Sequence, residues 1–118
     1  MSAGPITVGV AGLGYWGPNL ARNFARLPEA ELRWLCDRDD ALRERVGAAY
    51  PEARQSADLD DLLDDEGLDA VVLATPVPTH ANLAVRALEA GKHVFVEKPL
   101  AQSAADAQRV VDAARAAG

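Results

Sequence analysis

Three glycines near the amino terminus have the spacing of a phosphate-binding turn. Residues 12–17 read GLGYWG, which is the pattern G-x-G-x-x-G. The β-branched run ITVGVA precedes them and apolar residues at helical spacing follow them, and this context makes the pattern informative. Gly12 permits the tight turn, Gly14 lets the backbone approach a pyrophosphate, and Gly17 lets a helix pack against the strand. Free N–H groups at the start of that helix would bind the phosphates.

An acidic residue follows at the distance expected for a ribose-binding carboxylate. Asp37 lies 20 positions after Gly17, directly after the apolar run ELRWLC. A carboxylate at this position accepts hydrogen bonds from the adenosine ribose hydroxyls and repels the additional 2′-phosphate of NADP. The neighbouring Arg38 could accommodate that phosphate, so the sequence favours NAD and leaves NADP open. Tyr15 and Trp16 are expected either to line the cofactor or to pack beneath it.

Two further segments place polar residues directly after apolar runs. TPVPTH, residues 75–80, follows AVVLA, and EKP, residues 97–99, follows HVFV. A doubly wound sheet binds its ligand at the carboxyl ends of its strands. We therefore expect both segments beside the nicotinamide half of a dinucleotide. The residues concerned are Thr75, Pro76, His80, Glu97, Lys98 and Pro99.

Alternating strands and helices must hold these segments. Apolar runs predict strands at residues 6–11, 31–36, 70–74 and 93–96, with a weaker strand near residue 53. Helical spacing predicts helices between them, with capping residues at Asp39, Asp58, Thr79 and Ser103. The alternation is typical of an α/β protein with a doubly wound parallel sheet, the Rossmann fold. We expect one domain over residues 1–118, without the sixth strand of that fold and without a second domain.

Composition and charge argue against several classes of protein. The net charge of −6 is unsuited to a nucleic-acid partner. Cys36 is the single cysteine, so no intramolecular disulfide can form, and a reducing, cytoplasmic location fits. The glycine-rich start resembles neither a signal peptide nor a membrane span. The acidic residues between positions 58 and 66 are expected to form a solvated helix face rather than a metal site, and Lys92 is also expected to be solvated.

These motifs together resemble the glucose–fructose oxidoreductase and inositol 2-dehydrogenase family (Gfo/Idh/MocA). The resemblance covers the whole chain and rests on G-x-G-x-x-G, on T-P-x-x-x-H and on G-K-H-V-x-x-E-K-P. It implies hydride transfer between NAD(P) and a hydroxyl carbon of a sugar, nucleotide sugar or cyclitol. It also implies that Lys98 is catalytic, bonding the hydroxyl that is oxidised and assisting proton transfer, and that the Lys98–Pro99 peptide is cis. Lysine suits this role because, unlike arginine, it can exchange protons.

The resemblance also implies that much of the catalytic machinery lies elsewhere. Family members are about three times this length, and their second domain supplies substrate contacts and the usual oligomer interface. Alone, this chain is expected to bind dinucleotide with little turnover, because hydride transfer needs a held substrate and excluded water. Two alternatives stay open: a non-catalytic dinucleotide-sensing module, and a methyltransferase domain that binds S-adenosylmethionine. Without the second domain, the strand at residues 94–96 is expected to form an exposed edge that allows a non-native dimer, so a homo-oligomer is possible.

Overall fold

The computed structural model describes residues 4–98 and 100–118, and within them five parallel strands form one sheet. The strands are β1 Ile6–Ala11, β2 Ala30–Cys36, β3 Arg54–Ser56, β4 Ala70–Leu73 and β5 His93–Val96. The helices are α1 Gly17–Arg26, α2 Asp40–Gly47, α3 Leu59–Leu63, α4 His80–Glu89 and α5 Ala104–Ala117, and a 3-10 turn at Val77–Thr79 precedes α4. The strand order is β3-β2-β1-β4-β5, which confirms the predicted Rossmann fold. The order reverses between β1 and β4, so a ligand crevice is expected there.

The sheet separates two apolar layers. On one face α1 and α2 pack over a cluster that includes Val10 and Val72, and on the other face α3, α4 and α5 cover Val71 and Leu73. β4 contributes side chains to both layers, which explains why its sequence is a continuous apolar run. β5 ends the described sheet on one side, and its Phe95 is half exposed. Pairing of two chains through that edge stays a prediction.

Three of the four predicted helix caps are confirmed. The side chains of Asp39, Asp58 and Ser103 each accept a hydrogen bond from a backbone N–H in the first turn of the following helix. The prediction for Thr79 is wrong. Its backbone is helical, with φ −90° and ψ −15°, whereas a capping residue is extended so that its side chain reaches back over the first turn. The chain enters α4 through the 3-10 turn, and the Thr79 hydroxyl bonds the preceding loop instead.

The acidic segment is only partly a solvated face, because Asp65 turns inward. Its carboxylate accepts hydrogen bonds from Arg33 Nε at 2.6 Å, Trp34 Nε1 at 2.7 Å and Gly67 N at 2.9 Å. The expectation that Lys92 is solvated is also wrong, since this residue is buried and its Nζ donates to the Asp65 carbonyl at 2.7 Å. The bonds from Arg33 and Trp34 hold the pKa of the Asp65 carboxyl well below its usual range. Asp65 thereby ties the loop between α3 and β4 to β2.

We expect Asp65→Asn to lower the free energy of unfolding by about 2 kcal/mol at neutral pH, because charged hydrogen bonds are lost. A carboxyl with a depressed folded-state pKa contributes stability that is complete above its unfolded pKa of about 4 and is lost as the pH falls further. The difference between wild type and variant should therefore shrink below about pH 4. Urea unfolding at pH 7, 5 and 3.5 measures this. The exposed neighbour Asp64 provides the control variant Asp64→Asn, which should change stability little at any of these pH values.

Candidate functional site

A cavity of about 1000 Å³ opens along the carboxyl ends of the strands, where the strand order reverses. It brings together the glycine turn, the end of β2, the loop after β4 and the end of β5. The predicted site residues that line it are Gly12, Gly14, Tyr15, Trp16, Asp37, Arg38, Thr75, Pro76, His80, Glu97 and Lys98. Gly17 is buried beneath the turn, and Pro99, with the expected cis peptide, lies outside the described residues.

The three glycines of the turn differ in whether the surrounding structure leaves room for a side chain. Gly12 has φ +96°, and a Cβ there would lie 2.6 Å from the Ala74 backbone. A Cβ on Gly17 would lie 1.7 Å from the Gly12 carbonyl oxygen. A Cβ on Gly14, by contrast, would meet no atom of the described residues within 4 Å, its two chain neighbours aside. Gly12 and Gly17 therefore serve the fold, whereas Gly14 leaves open space on the cavity wall, as close approach of a pyrophosphate to the backbone requires.

The start of α1 is also suited to bind an anion. No side chain of the described residues caps this helix, and its first turn holds no acidic residue. By contrast, α2, α3 and α5 each have a capping side chain and an acidic residue in the first turn. The first N–H groups of a helix need partners, and the helix dipole favours negative charge there. The uncapped start of α1 and the open space at Gly14 fit the phosphates of a dinucleotide.

Asp37 is held in place from several directions. Its Oδ2 accepts a hydrogen bond from Leu13 N, and its Oδ1 accepts one from Asp39 N, both at 2.8 Å. Arg43 Nη1 donates to the Asp37 carbonyl at 2.6 Å, and the Arg43 guanidinium also bonds Asp40. Each carboxylate oxygen keeps acceptor capacity for a ligand hydroxyl. The sequence prediction identified Asp37 but missed Arg43, because a hydrogen bond to a backbone carbonyl six residues away leaves no pattern in the sequence.

A cation and two aromatic rings also line the cavity. Arg38 is exposed there and forms no hydrogen bond or ion pair with any residue that the structure describes. Tyr15 is 83% exposed and Trp16 is 50% exposed, and their rings meet edge to face at 5.3 Å. Both rings therefore line the cavity, and their position relative to a bound cofactor stays a prediction.

The loop between β4 and α4 is closed by its own hydrogen bonds. Thr75 Oγ1 and Thr79 Oγ1 lie 2.7 Å apart, and the Thr79 hydroxyl donates to the Pro76 carbonyl at 2.6 Å. His80 is 1% exposed, and its Nε2 lies 2.7 Å from the Thr75 carbonyl. A carbonyl only accepts, so His80 Nε2 carries a hydrogen. His80 thus supports the loop backbone, and its contact with a cofactor stays a prediction.

The residue that follows the end of β5 by two positions, Lys98, also lines the cavity. The backbone N–H of Glu97 bonds the Leu73 carbonyl at 2.9 Å, which continues the sheet pairing beyond β5. Lys98 is exposed, and within residues 4–98 and 100–118 its Nζ has no hydrogen bond or ion pair. In particular, Lys98 forms no ion pair with Glu97. The Lys98 ammonium is therefore available to a ligand in the cavity.

Other chemistries find little support in the described part of the chain. Cys36 lines the cavity, but burial and then the Asp37 carboxylate raise the pKa of its thiol to about 11, so it is a poor nucleophile at neutral pH. Among residues 4–98 and 100–118, no group of three or more His, Cys, Asp or Glu side chains could hold a metal ion. No described helix has the length and apolar character needed to cross a bilayer.

The strand order, the glycine turn and Asp37 define a dinucleotide-binding Rossmann domain. The chain belongs to the Gfo/Idh/MocA family, because the family model described as an oxidoreductase family with an NAD-binding Rossmann fold matches residues 6–118. This assignment gives no support to the methyltransferase alternative. Inositol 2-dehydrogenase 1 of Saccharopolyspora erythraea is 42% identical over 108 residues, a match that covers 90% of this chain and 32% of that protein.

Solved structures agree with this assignment. The WlbA dehydrogenase of Bordetella pertussis, in complex with NADH and UDP-GlcNAcA, has a TM-score of 0.93 at 34% identity and matches 100% of this chain and 34% of its own. Biliverdin reductase of Synechocystis, in complex with biliverdin and NADP⁺, has a TM-score of 0.90 at 30% identity, covering 97% of this chain and 36% of its own. The chain therefore spans about a third of the length of these relatives.

Proposed function

We propose that this chain is the cofactor-binding part of an oxidoreductase that transfers hydride between NAD(P) and a hydroxyl carbon of a sugar, nucleotide sugar or cyclitol. One observation carries the proposal: the glycine turn, Asp37 and Lys98, whose ammonium has no hydrogen-bond partner among the described residues, line the same cavity. The relatives support the substrate class, since one is an inositol dehydrogenase and another was solved with a nucleotide sugar. Biliverdin reductase shows that the fold also serves other substrates.

Each part of the cavity wall has a separate task in this proposal. The backbone at Gly14 and the start of α1 bind the pyrophosphate, and Asp37 accepts hydrogen bonds from the adenosine ribose. The bound nicotinamide supplies the site that gives or takes the hydride. Lys98 Nζ hydrogen-bonds the substrate hydroxyl, takes up the hydroxyl proton as the hydride leaves the carbon, and returns a proton to the oxygen in the reverse direction, which is the task of a general acid–base group.

The chain by itself is proposed to bind cofactor without efficient turnover. The cavity is open to solvent, and Lys98 is exposed on its wall. Hydride transfer is fast only when the reacting carbon is held against the nicotinamide and water is excluded. Substantial oxidation of a sugar or cyclitol by the 118-residue chain would contradict this part of the proposal.

Separate titrations with NADH and NADPH test the cofactor assignment. We expect NADH to bind more tightly, because the Asp37 carboxylate repels a 2′-phosphate. Quenching of Trp16 reports binding because this ring lies at the cavity, whereas Trp34 bonds Asp65 outside it. A Trp34→Phe variant therefore isolates the signal, and calorimetry confirms the affinities.

Asp37→Asn should reduce the preference for NADH over NADPH by roughly tenfold. An asparagine amide has one acceptor oxygen, so it keeps only one of the two backbone hydrogen bonds that the Asp37 carboxylate accepts, which weakens both nucleotides. Loss of the negative charge favours NADPH alone, so the ratio of the two Kd values isolates the charge effect. Asp64→Asn makes the same change in net charge away from the cavity and should leave the ratio unchanged. An unchanged ratio in Asp37→Asn would mean that Asp37 does not select the cofactor.

A further inference from the structure

The two threonines of the β4–α4 loop have a defined hydrogen-bond direction. Thr79 Oγ1 lies 2.6 Å from the Pro76 carbonyl, which can only accept, so the single hydroxyl hydrogen of Thr79 is used there. The 2.7 Å contact between the two hydroxyl oxygens must then use the hydrogen of Thr75. Thr75 lines the cavity, and the hydrogen of its hydroxyl is already used within the loop. It can therefore accept a hydrogen bond from a ligand but cannot donate one.

The surrounding loop keeps this arrangement in place. His80 Nε2 donates to the Thr75 carbonyl from the buried side, and Thr79 N bonds the Pro76 carbonyl at 2.9 Å. The carbonyls of Thr75 and Pro76 thus both accept hydrogen bonds from groups of the same chain. The loop follows β4. In the sheet, β4 and β2 lie on opposite sides of β1, so the loop and Asp37 lie in different halves of the cavity. In a doubly wound sheet that binds adenosine over β2, the half at β4 takes the nicotinamide riboside.

We propose that Thr75 is a hydrogen-bond acceptor dedicated to the nicotinamide riboside half of the cofactor, and that Thr79 is the positioning residue that orients it. The proposal rests on the proposed function above. An ionised pyrophosphate offers no hydrogen, so it cannot satisfy Thr75 Oγ1, whereas a ribose hydroxyl or the carboxamide N–H can. Both candidate groups share the chemistry of a hydrogen-bond donor.

Calorimetry with ADP, ADP-ribose and NADH on the 118-residue chain tests this assignment. Thr75→Val and Thr79→Val should each weaken NADH binding roughly 3- to 10-fold, the usual effect of one hydrogen bond, and leave ADP binding unchanged. Thr79→Ser keeps the hydroxyl and should restore NADH affinity. If the two valine variants bind both ADP-ribose and NADH more weakly, the donor is a ribose hydroxyl. If they bind only NADH more weakly, the donor is the carboxamide.

Thr7 provides a matched control at the opposite end of the sheet. Its hydroxyl also has two partners, donating to the Gly67 carbonyl at 2.6 Å and accepting from Asp69 N at 2.9 Å. Thr7→Val should lower thermal stability and leave all three affinities unchanged. A thermal melt of each variant shows whether it is folded before its affinities are compared.

The outcomes separate the inference from the function on which it rests. If wild type binds neither ADP nor NADH, the proposed function fails and the inference falls with it. If wild type binds NADH and the threonine variants bind it equally well, the inference alone is wrong. Equal weakening of ADP and NADH would also overturn it, because a merely structural role affects both halves of the cavity.

Discussion

Replacing Gly14 with alanine is expected to remove most dinucleotide binding without destabilising the fold. Apart from its chain neighbours, no residue that the structure describes has an atom within 4 Å of a Cβ at this position, and the backbone is not left-handed. Such a replacement usually adds about 0.5 kcal/mol to the free energy of unfolding, because the unfolded chain has less freedom to lose. The added methyl group occupies the space that the pyrophosphate needs, so NADH binding should weaken about a hundredfold, which corresponds to about 2.7 kcal/mol.

Gly17→Ala is the informative counterpart of this variant. Its Cβ would lie 1.7 Å from the Gly12 carbonyl oxygen, so the turn must move, at a cost of about 3 kcal/mol of unfolding free energy. Urea unfolding and NADH titration of both variants measure the two effects separately. Only Gly14→Ala should combine unchanged or higher stability with weak binding. If Gly14→Ala binds NADH normally, the open space on the cavity wall is not the phosphate site.

The elements and the glycine turn were predictable from the sequence because their signals are local. The run AVVLA predicts β4, and Asp39 starts α2 through its own neighbours at residues 41 and 42. Once the strands are known, Asp37 and Lys98 must both lie at the carboxyl ends of the strands, because each follows a strand of one parallel sheet. Their placement in one cavity therefore follows from periodicity and from the rule that parallel strands end on the same side.

What the sequence did not predict depends on partners far apart in the chain. Lys92 is buried because its Nζ reaches the Asp65 carbonyl, 27 residues away, and Asp65 is fixed by Arg33, 32 residues away. Thr79 was predicted as a cap from residue type alone, but the 3-10 turn changed its backbone and its bonding partners. Residue type indicates that a polar group needs a partner, whereas only the fold shows which partner is within reach.

The same distinction explains the chemistry of the cavity. Asp37, Thr75 and His80 each form hydrogen bonds within the chain, and these bonds fix the orientation of their polar groups. Lys98 has no such bond within the described residues. A cation without a structural partner contributes little to folding and remains available for chemistry. Lys98 is therefore the position where a substitution should separate catalysis from both stability and cofactor binding.

In a protein that continues this chain to the length of its relatives, Lys98→Met is expected to lower kcat by about 10²- to 10⁴-fold, the usual contribution of a positioned acid or base. Lys98→Arg keeps the charge but should also be impaired, because arginine does not give up its proton. Thermal stability and the Kd for NADH should change little in both variants. Steady-state kinetics with a panel of sugars and cyclitols, together with NADH titration, measures these effects.

The other lysine is the control for this experiment. Lys92→Met removes the bond to the Asp65 carbonyl and should lower stability while leaving kcat unchanged in the folded fraction. A dinucleotide-sensing module would give a different result, since it would show no turnover before the substitution and unchanged NADH binding after it. Equal kcat values for wild type and Lys98→Met would exclude Lys98 from proton transfer, and another group would then have to take that role.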